Sequence, residues 1–188
     1  MENIEEKIAL LVMDFQSGII DRLENKDEFL QNVRIVVDTA HKHHIQVIYV
    51  VVGFREGLPE ISGNNKSFNT IKETGSSNMI NSHPVIDLTS EDLLVTKHRV
   101  SAFSGSDLEM LLRAQNIKSL VLAGISTSGV VLSTLREAAD KDFVLTVLSD
   151  LCNDFDEEVH SVLVNKVFPR QATVMTSEEW MKAQNDQN

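Results

Sequence analysis

Short apolar runs alternate along the chain with longer amphipathic segments. The runs have the length and the β-branched content of buried strands, and they cover residues 8–13, 45–52, 92–96, 119–123, 143–148 and 172–175. Helical spacing of apolar residues marks most of the segments between them, with helices expected at about 29–43, 106–115, 156–167 and 177–188. Near-continuous apolar strands separated by helices predict an α/β fold, with a doubly wound, mainly parallel sheet of about six strands covered on both faces. We expect right-handed crossovers and one domain over residues 1–188.

One long stretch, residues 53–92, lacks this alternation. Irregular segments of such length inside a compact domain are commonly functional. A lid over an active site, a contact between subunits and a plain surface excursion all remain open for it.

Composition narrows the classes of function. A net charge of −11 argues against nucleic acid and against an anionic membrane surface as partners. Because Cys152 is the single cysteine, no intramolecular disulfide can form, which fits a reducing compartment. The acidic first residues lack the pattern of a signal peptide. We therefore expect a cytoplasmic protein.

Candidate chemistry lies where predicted strands end, because ligands of open parallel sheets bind outside the carboxyl ends of the strands. Asp14 follows the first strand, Lys97 the third, and the loop 124–129 the fourth. Taken singly, an Asp there can be a turn or capping residue, and a Lys can simply be solvated. The loop can bind an anion through its N–H groups or merely connect a strand to a helix. It matches neither common nucleotide-binding glycine motif.

Together these pieces resemble the isochorismatase-like superfamily of hydrolases, which includes cysteine hydrolases. The resemblance covers about residues 7–176 and rests on three pieces in order at strand ends: Asp14-Phe15-Gln16, the K-x-x-x-S-A-F segment 97–103, and the loop Gly124-Ile125-Ser126-Thr127-Ser128-Gly129. Weaker matches follow at Ser133-Thr134, Ser149-Asp150 and His160. The resemblance implies an isochorismatase-like, Rossmann-like fold and a homodimer or higher homo-oligomer acting on a small molecule.

The resemblance also implies a catalytic set of Asp, Lys and Cys. Asp14 and Lys97 match the first two members. The loop supplies backbone N–H groups as an oxyanion hole, with a cis peptide bond between Ile125 and Ser126. Phe15, Gln16, His98 and Phe103 match positions that line the family's pocket. We expect no cofactor and no metal, because the stretch 52–57, where some relatives carry a metal-binding histidine, has none.

The position of the nucleophile is where this chain departs from the family. The family loop reads G-x-x-T-x-x-C-V, and here Val130 stands at the cysteine. A valine side chain has no lone pair, so attack by a thiol at this position is excluded. Cys152 lies elsewhere and is interpreted as a buried, inert thiol.

Three interpretations remain open. First, Asp14 acts as a general acid, as in isochorismatase itself, which resembles this chain in requiring no thiol. Second, a hydroxyl of Ser126, Thr127 or Ser128 replaces the thiol, although no histidine is clearly paired with one; Thr127 is interpreted as a helix cap and His160 as a surface or packing residue. Third, the chain has lost catalysis and binds a small molecule or self-associates.

Overall fold

A single parallel sheet organises the protein in the computed structural model, which describes residues 7–74 and 83–186. Its strands are β1 (Lys7–Met13), β2 (Gln46–Val52), β3 (Leu93–Lys97), β4 (Ile117–Ile125), β5 (Val144–Asn153) and β6 (Thr173–Met175). They lie in the order β3-β2-β1-β4-β5-β6, with each neighbouring pair parallel. The predicted six-stranded α/β sheet is confirmed.

Helices connect the strands and cover both faces of the sheet. They are α1 (Ser17–Ile20), α2 (Lys26–Lys42), α3 (Lys66–Thr74), α4 (Leu108–Ala114), α5 (Leu132–Asp140), α6 (Glu157–Val162) and α7 (Ser177–Asn185). A π-helical turn, Thr127–Val131, leads directly into α5, and a second, Leu163–Val167, extends α6. None of the helices in the described ranges is long and apolar enough to cross a membrane.

Local sequence signals account for the best-defined helices. In α2, acidic residues occupy the first turn and His41 and Lys42 the last, which suits the helix dipole. Helix α7 begins with a capping box in which Thr176 and Glu179 satisfy each other's backbone N–H groups.

Two apolar layers hold the sheet between the helices. One layer joins alternate residues of β1, such as Leu11 and Met13, to buried residues of α4 and α5. The other joins Leu10 and Val12 to α2 and to Trp180 of α7. Because the strands are parallel, the carboxyl ends of β1, β3 and β4 lie along one edge of the sheet, where the candidate residues follow.

The stretch 53–92 corrects our prediction of irregular structure. It contains helix α3, whose Phe68 packs with Phe54 and Ile61 in a small apolar cluster of its own. Farther on, Val85 N donates to Phe15 O at 2.9 Å, which ties the stretch to the end of β1. Residues 75–82 lie outside the described part of the chain. The lid and subunit-contact interpretations stay predictions.

Strand β5 bulges at the candidate edge. Leu122 of β4 pairs with Val147, whereas Gly124 pairs with Cys152, so β5 accommodates extra residues at this point. Asp150, within the bulge, accepts hydrogen bonds from Ser177 N at 2.7 Å and from Ser177 Oγ at 2.6 Å. The bulge therefore links the end of β5 to the start of α7.

Tyr49 of β2 supplies a stability prediction. Its side chain is fully buried, and its hydroxyl has no hydrogen-bond partner among the described residues. Replacing Tyr49 with phenylalanine keeps the ring and removes the cost of an unsatisfied buried hydroxyl, so we expect the free energy of unfolding to rise by about 1 kcal/mol. Urea unfolding measures the change. The control Tyr49→Leu should instead lose stability by leaving a cavity, and a loss in Tyr49→Phe would contradict the assignment.

Candidate functional site

Asp14 occupies a sharp turn directly after β1. Its φ of 61° lies in the left-handed region, which the short polar side chain of aspartate tolerates better than most residues do. Two backbone hydrogen bonds hold the turn: Asp14 N donates to Val50 O at 2.8 Å, and Gln16 N donates to Asp14 O at 2.8 Å. The turn thus fixes the carboxylate at the end of the strand.

Lys97, at the end of β3, forms a buried ion pair with Asp14. Its Nζ lies 2.9 Å from Asp14 Oδ2 and donates a further hydrogen bond to Arg99 O at 3.1 Å. Asp14 is 6% exposed and Lys97 2%. Since β2 separates the two strands in the sheet, the pair bridges the carboxyl end of β2. The structure thus brings together two residues that are far apart in the sequence.

The second carboxylate oxygen of Asp14, Oδ1, takes no part in the ion pair with Lys97. Within the ranges that the structure describes, Asp14 Oδ1 is buried and has no hydrogen-bond partner. Burial raises the pKa of the Asp14 carboxyl above its ordinary value, and the Lys97 ammonium opposes that shift without cancelling it. A carboxyl with a raised pKa holds its proton closer to neutral pH, as a general acid requires.

The loop after β4 begins next to the end of β1, because Gly124 pairs with Met13. The peptide bond between Ile125 and Ser126 is cis, at the position that the family resemblance implied. Val130 is 2% exposed and packs in the same apolar layer as Met13, the residue before Asp14. The side chain at the nucleophile position therefore contributes packing and no reactive group.

Two hydrogen bonds from the segment after β5 anchor the loop. Ser128 N donates to Asp154 Oδ2 at 2.7 Å, and Thr127 Oγ1 pairs with His160 Nδ1 at 2.8 Å. Our expectation that no histidine pairs with a loop hydroxyl was wrong, and so was the interpretation of Thr127 as a cap, since its hydroxyl is engaged with His160. Burial lowers the pKa of His160 against the influence of nearby carboxylates. Thr127 is fully buried, and the contact with His160 holds the loop in place. A reactive role for a loop hydroxyl stays a prediction.

The segment after Lys97 is tied to the helix that follows the loop. Ser101 Oγ donates to Glu137 Oε2 at 2.6 Å, and Ala102 N donates to Thr134 Oγ1 at 2.9 Å. These contacts join the flanks of Lys97 and of the loop into one unit. The family resemblance includes Ser101, Ala102 and Thr134, but neither Glu137 nor these hydrogen bonds could be read from the sequence.

Two of the expected pocket residues, Phe15 and Gln16, directly follow Asp14 and contact neighbouring elements of the fold. Phe15 stacks on Phe29 with ring centroids 5.7 Å apart. Gln16 Nε2 donates to Val52 O at 3.0 Å, and Gln16 Oε1 accepts from Val52 N at 2.9 Å. Gln16 therefore joins the end of β1 to the end of β2. Contact of either side chain with a substrate stays a prediction.

His98 and Phe103, the other two, flank Lys97. His98 Nδ1 donates to Gly53 O at 2.6 Å, since a carbonyl oxygen can only accept. Phe103 is buried in the apolar layer beside Phe143, with ring centroids 5.9 Å apart. Their contact with a substrate also stays a prediction.

Cys152 and the histidines take no part in the Asp14–Lys97 pair. The Cys152 thiol is buried, and burial raises its pKa to about 12. His41 pairs with Asp92 at 2.7 Å and His43 with Asn185 at 3.1 Å, far from the carboxyl ends of the strands. Across residues 7–74 and 83–186, no group of three or more His, Cys, Asp or Glu side chains is placed to hold a metal ion.

A cavity of about 560 Å³ lies beside the loop, between the start of α2 and the start of α6. Its charged lining residues are Arg22, Glu24, Glu28, Asp154 and Glu157. The Arg22 guanidinium lies 3.8 Å from the centre of the Phe155 ring. Carboxylates thus dominate the lining, which disfavours a negatively charged ligand in this cavity.

Comparison with known proteins relates most of the chain to one family. A family model described as the isochorismatase domain matches residues 8–179. The uncharacterized isochorismatase family protein YwoC of Bacillus subtilis (strain 168) is 30% identical over 181 residues, which is 94% of each chain. The ureidoacrylate amidohydrolase RutB of Acinetobacter baylyi is 27% identical over 173 residues, covering 78% of this chain and 71% of that protein.

Solved structures show the same fold. An isochorismatase family protein from Burkholderia thailandensis superposes with a TM-score of 0.82 at 22% identity, covering 97% of each chain. At this identity the likeness concerns the arrangement of the sheet and helices.

Proposed function

The chain belongs to the isochorismatase family, and from that premise we propose that it is a hydrolase of a small, anionic metabolite with Asp14 as general acid and no cysteine nucleophile. The observation that carries the proposal is the unpartnered Oδ1 of Asp14, buried beside Lys97 at the edge of the loop. Because position 130 is a valine, Asp14 has no thiol there to deprotonate. We therefore assign its carboxyl a direct acid–base role toward the substrate. The amidohydrolase among the relatives marks amides and ureides as alternatives to test.

The proposed reaction is cleavage of a vinyl ether. Protonated Asp14 delivers its proton to the vinyl carbon, and the positive charge that develops is shared with the ether oxygen. Water adds to the cationic carbon and returns a proton to the Asp14 carboxylate. The resulting hemiketal then breaks its bond to the original ether oxygen, while the proton of its hydroxyl passes to that oxygen, and an alcohol and a carbonyl compound are released. The Lys97 ammonium attracts an anionic group of the substrate. The N–H groups of Ser128, Gly129 and Val131 already donate within the protein and are not counted on for this contact.

A second candidate, a binding protein without catalysis, is favoured by Val130 itself, because the family's usual nucleophile is gone. Such a protein binds a small molecule at the Asp14–Lys97 edge without turning it over, or self-associates through residues 53–92. Homo-oligomer formation and a cytoplasmic location accompany both candidates as proposals and do not separate them.

Turnover by wild type and by Asp14→Asn separates the candidates. We expect wild type to cleave members of a panel of carboxylate-bearing vinyl ethers, amides and ureides, and Asp14→Asn to lose about 10²- to 10⁴-fold in kcat, the range for removing a general acid. Calorimetry should show that the variant still binds the cleaved compound. The control Asp140→Asn removes a carboxylate at an exposed end of α5 and should keep wild-type turnover. Absence of turnover by wild type across the panel, with binding retained, supports the binding protein.

A further inference from the structure

Ser126 occupies the cap position of the helical turn Thr127–Val131 without capping it. A serine at this position ordinarily accepts a hydrogen bond through its hydroxyl from an N–H two or three residues later. Here the Ser126 side chain makes no such bond. Asp154 Oδ2 accepts from Ser128 N instead, at 2.7 Å, and the backbone oxygen of Ser126 accepts from Gly129 N and Val131 N, both at 3.2 Å. The Ser126 hydroxyl therefore has no hydrogen-bond partner among the residues that the structure describes.

Gly129 has no side chain, and this leaves room for the Ser126 hydroxyl. A Cβ built at position 129 would lie 2.6 Å from Ser126 Oγ, closer than real contacts allow. The backbone of Gly129 does not itself demand glycine, since the glycines with positive φ in the described chain are Gly57 and Gly105. Glycine in a helical turn otherwise weakens the helix. The room it leaves for the Ser126 hydroxyl gives it a reason to be there.

The hydroxyl belongs to the same edge as the Asp14 carboxyl. Met13 of β1 pairs with Gly124 of β4, so Asp14 and Ser126 both follow from neighbouring strand ends. Ser126 is half-buried, and Asp14 Oδ1 is the buried oxygen without a partner described above. The edge therefore offers one carboxylate oxygen, Asp14 Oδ1, and one hydroxyl, that of Ser126, to which no other described residue is hydrogen-bonded.

We propose that the Ser126 hydroxyl contacts the substrate and donates a hydrogen bond to one of its carbonyl or carboxylate oxygens. The assignment rests on the hydrolase function proposed above and identifies a further residue that determines specificity. A hydroxyl donates to an oxygen acceptor of either kind, so compounds that lack such an oxygen next to the scissile bond should bind more weakly.

A thiol introduced by Val130→Cys makes the test independent of the natural substrate. The probe is iodoacetamide, with which the thiolate forms an S–C bond and releases iodide, while the amide oxygen can accept from Ser126 Oγ. Alkylation is compared at the high-pH plateau of the rate, where the thiol is fully ionised. There we expect Ser126→Ala, added to Val130→Cys, to lower the rate by about three- to ten-fold, the effect of one hydrogen bond. The apparent thiol pKa, read from the pH–rate profile, should stay unchanged, which excludes an indirect effect on the thiol.

The control for this experiment is Ser90→Ala, which removes an exposed hydroxyl just before β3 and should leave the alkylation rate unchanged. Wild type reports the background, because its buried Cys152 has a pKa of about 12. An equal plateau rate with and without the Ser126 hydroxyl would overturn the assignment.

A stability cycle tests the geometric premise separately. Gly129→Ala alone should lower the Tm, because its methyl group meets Ser126 Oγ. Ser126→Ala added to Gly129→Ala should restore the Tm to at least the wild-type value, since the clash is gone and alanine favours a helix. Strictly additive effects would show that the two positions do not touch and would overturn the premise. If Asp14→Asn leaves turnover intact while Ser126→Ala slows alkylation, the general-acid proposal fails and the Ser126 contact stands.

Discussion

Replacing Lys97 with methionine is expected to cost about 3–5 kcal/mol of stability at pH 7. The change leaves the Asp14 carboxylate buried without its counter-ion, which costs more than a buried ion pair itself contributes. Urea unfolding measures the loss. The control Lys26→Met breaks an exposed pair with Asp21 of 2.8 Å and should change stability far less, because solvent screens that pair.

The loss in Lys97→Met should depend on pH in a definite direction. Lys97 supplies both of the interactions that oppose the raised pKa of Asp14, so without it that pKa rises further. A carboxyl whose folded-state pKa is raised is stabilising when protonated, and this contribution disappears as pH rises through the folded-state pKa. The variant should therefore recover stability as pH falls. Replacing both Asp14 and Lys97 with apolar residues should restore most of it, and a small loss in Lys97→Met at every pH would contradict the buried pair.

Val130→Cys is expected to create a reactive thiol. The family resemblance implies that position 130 belongs with Asp14 and Lys97, and near the Lys97 ammonium the pKa of the thiol should fall below the value of about 8.5 for a free cysteine. At pH 7 its alkylation should exceed that of wild type by more than about 10³-fold, because wild type offers only Cys152, whose pKa is about 12. Amide hydrolysis should appear together with this reactivity, since Asp14 can then act as the base toward the thiol.

The matched control for this gain is Val131→Cys, which places a thiol one residue away in the same turn, at another buried position. It should be alkylated slowly and should hydrolyse no amide. An unreactive thiol in Val130→Cys would show that position 130 does not face Asp14 and Lys97. Asp14→Asn combined with Val130→Cys should lose the gained activity.

The sheet could be predicted from the sequence because buried parallel strands are almost wholly apolar. The joining of Asp14 to Lys97 followed as well, since both residues follow strand ends and such ends share one edge. Helix α3 escaped prediction because its few apolar residues, Phe68 among them, contact only a small cluster. The extension of β5 also escaped, because Ser149 and Asp150 interrupt its apolar pattern at the bulge.

The contacts that hold the loop in place could not be predicted, because they join side chains that are distant in sequence. Taken by itself, the sequence around His160 has the pattern of a helix surface. Only the fold brings this histidine to Thr127. Gly129 gave no signal either, because its role depends on where the Ser126 hydroxyl points. The acidic lining beside the loop, with Asp154 and Glu157, likewise comes from elements that the sequence keeps apart.

The pH dependence of kcat/KM for a carboxylate-bearing vinyl ether tests the role of Asp14 most directly. A general acid must be protonated, so we predict that kcat/KM of wild type falls as pH rises through the raised pKa of Asp14, above the ordinary value of 3.8. In Asp14→Asn, turnover should be lost at every pH. Wild-type turnover by Asp14→Asn, with an unchanged pH profile, would contradict the assignment of Asp14 as the acid.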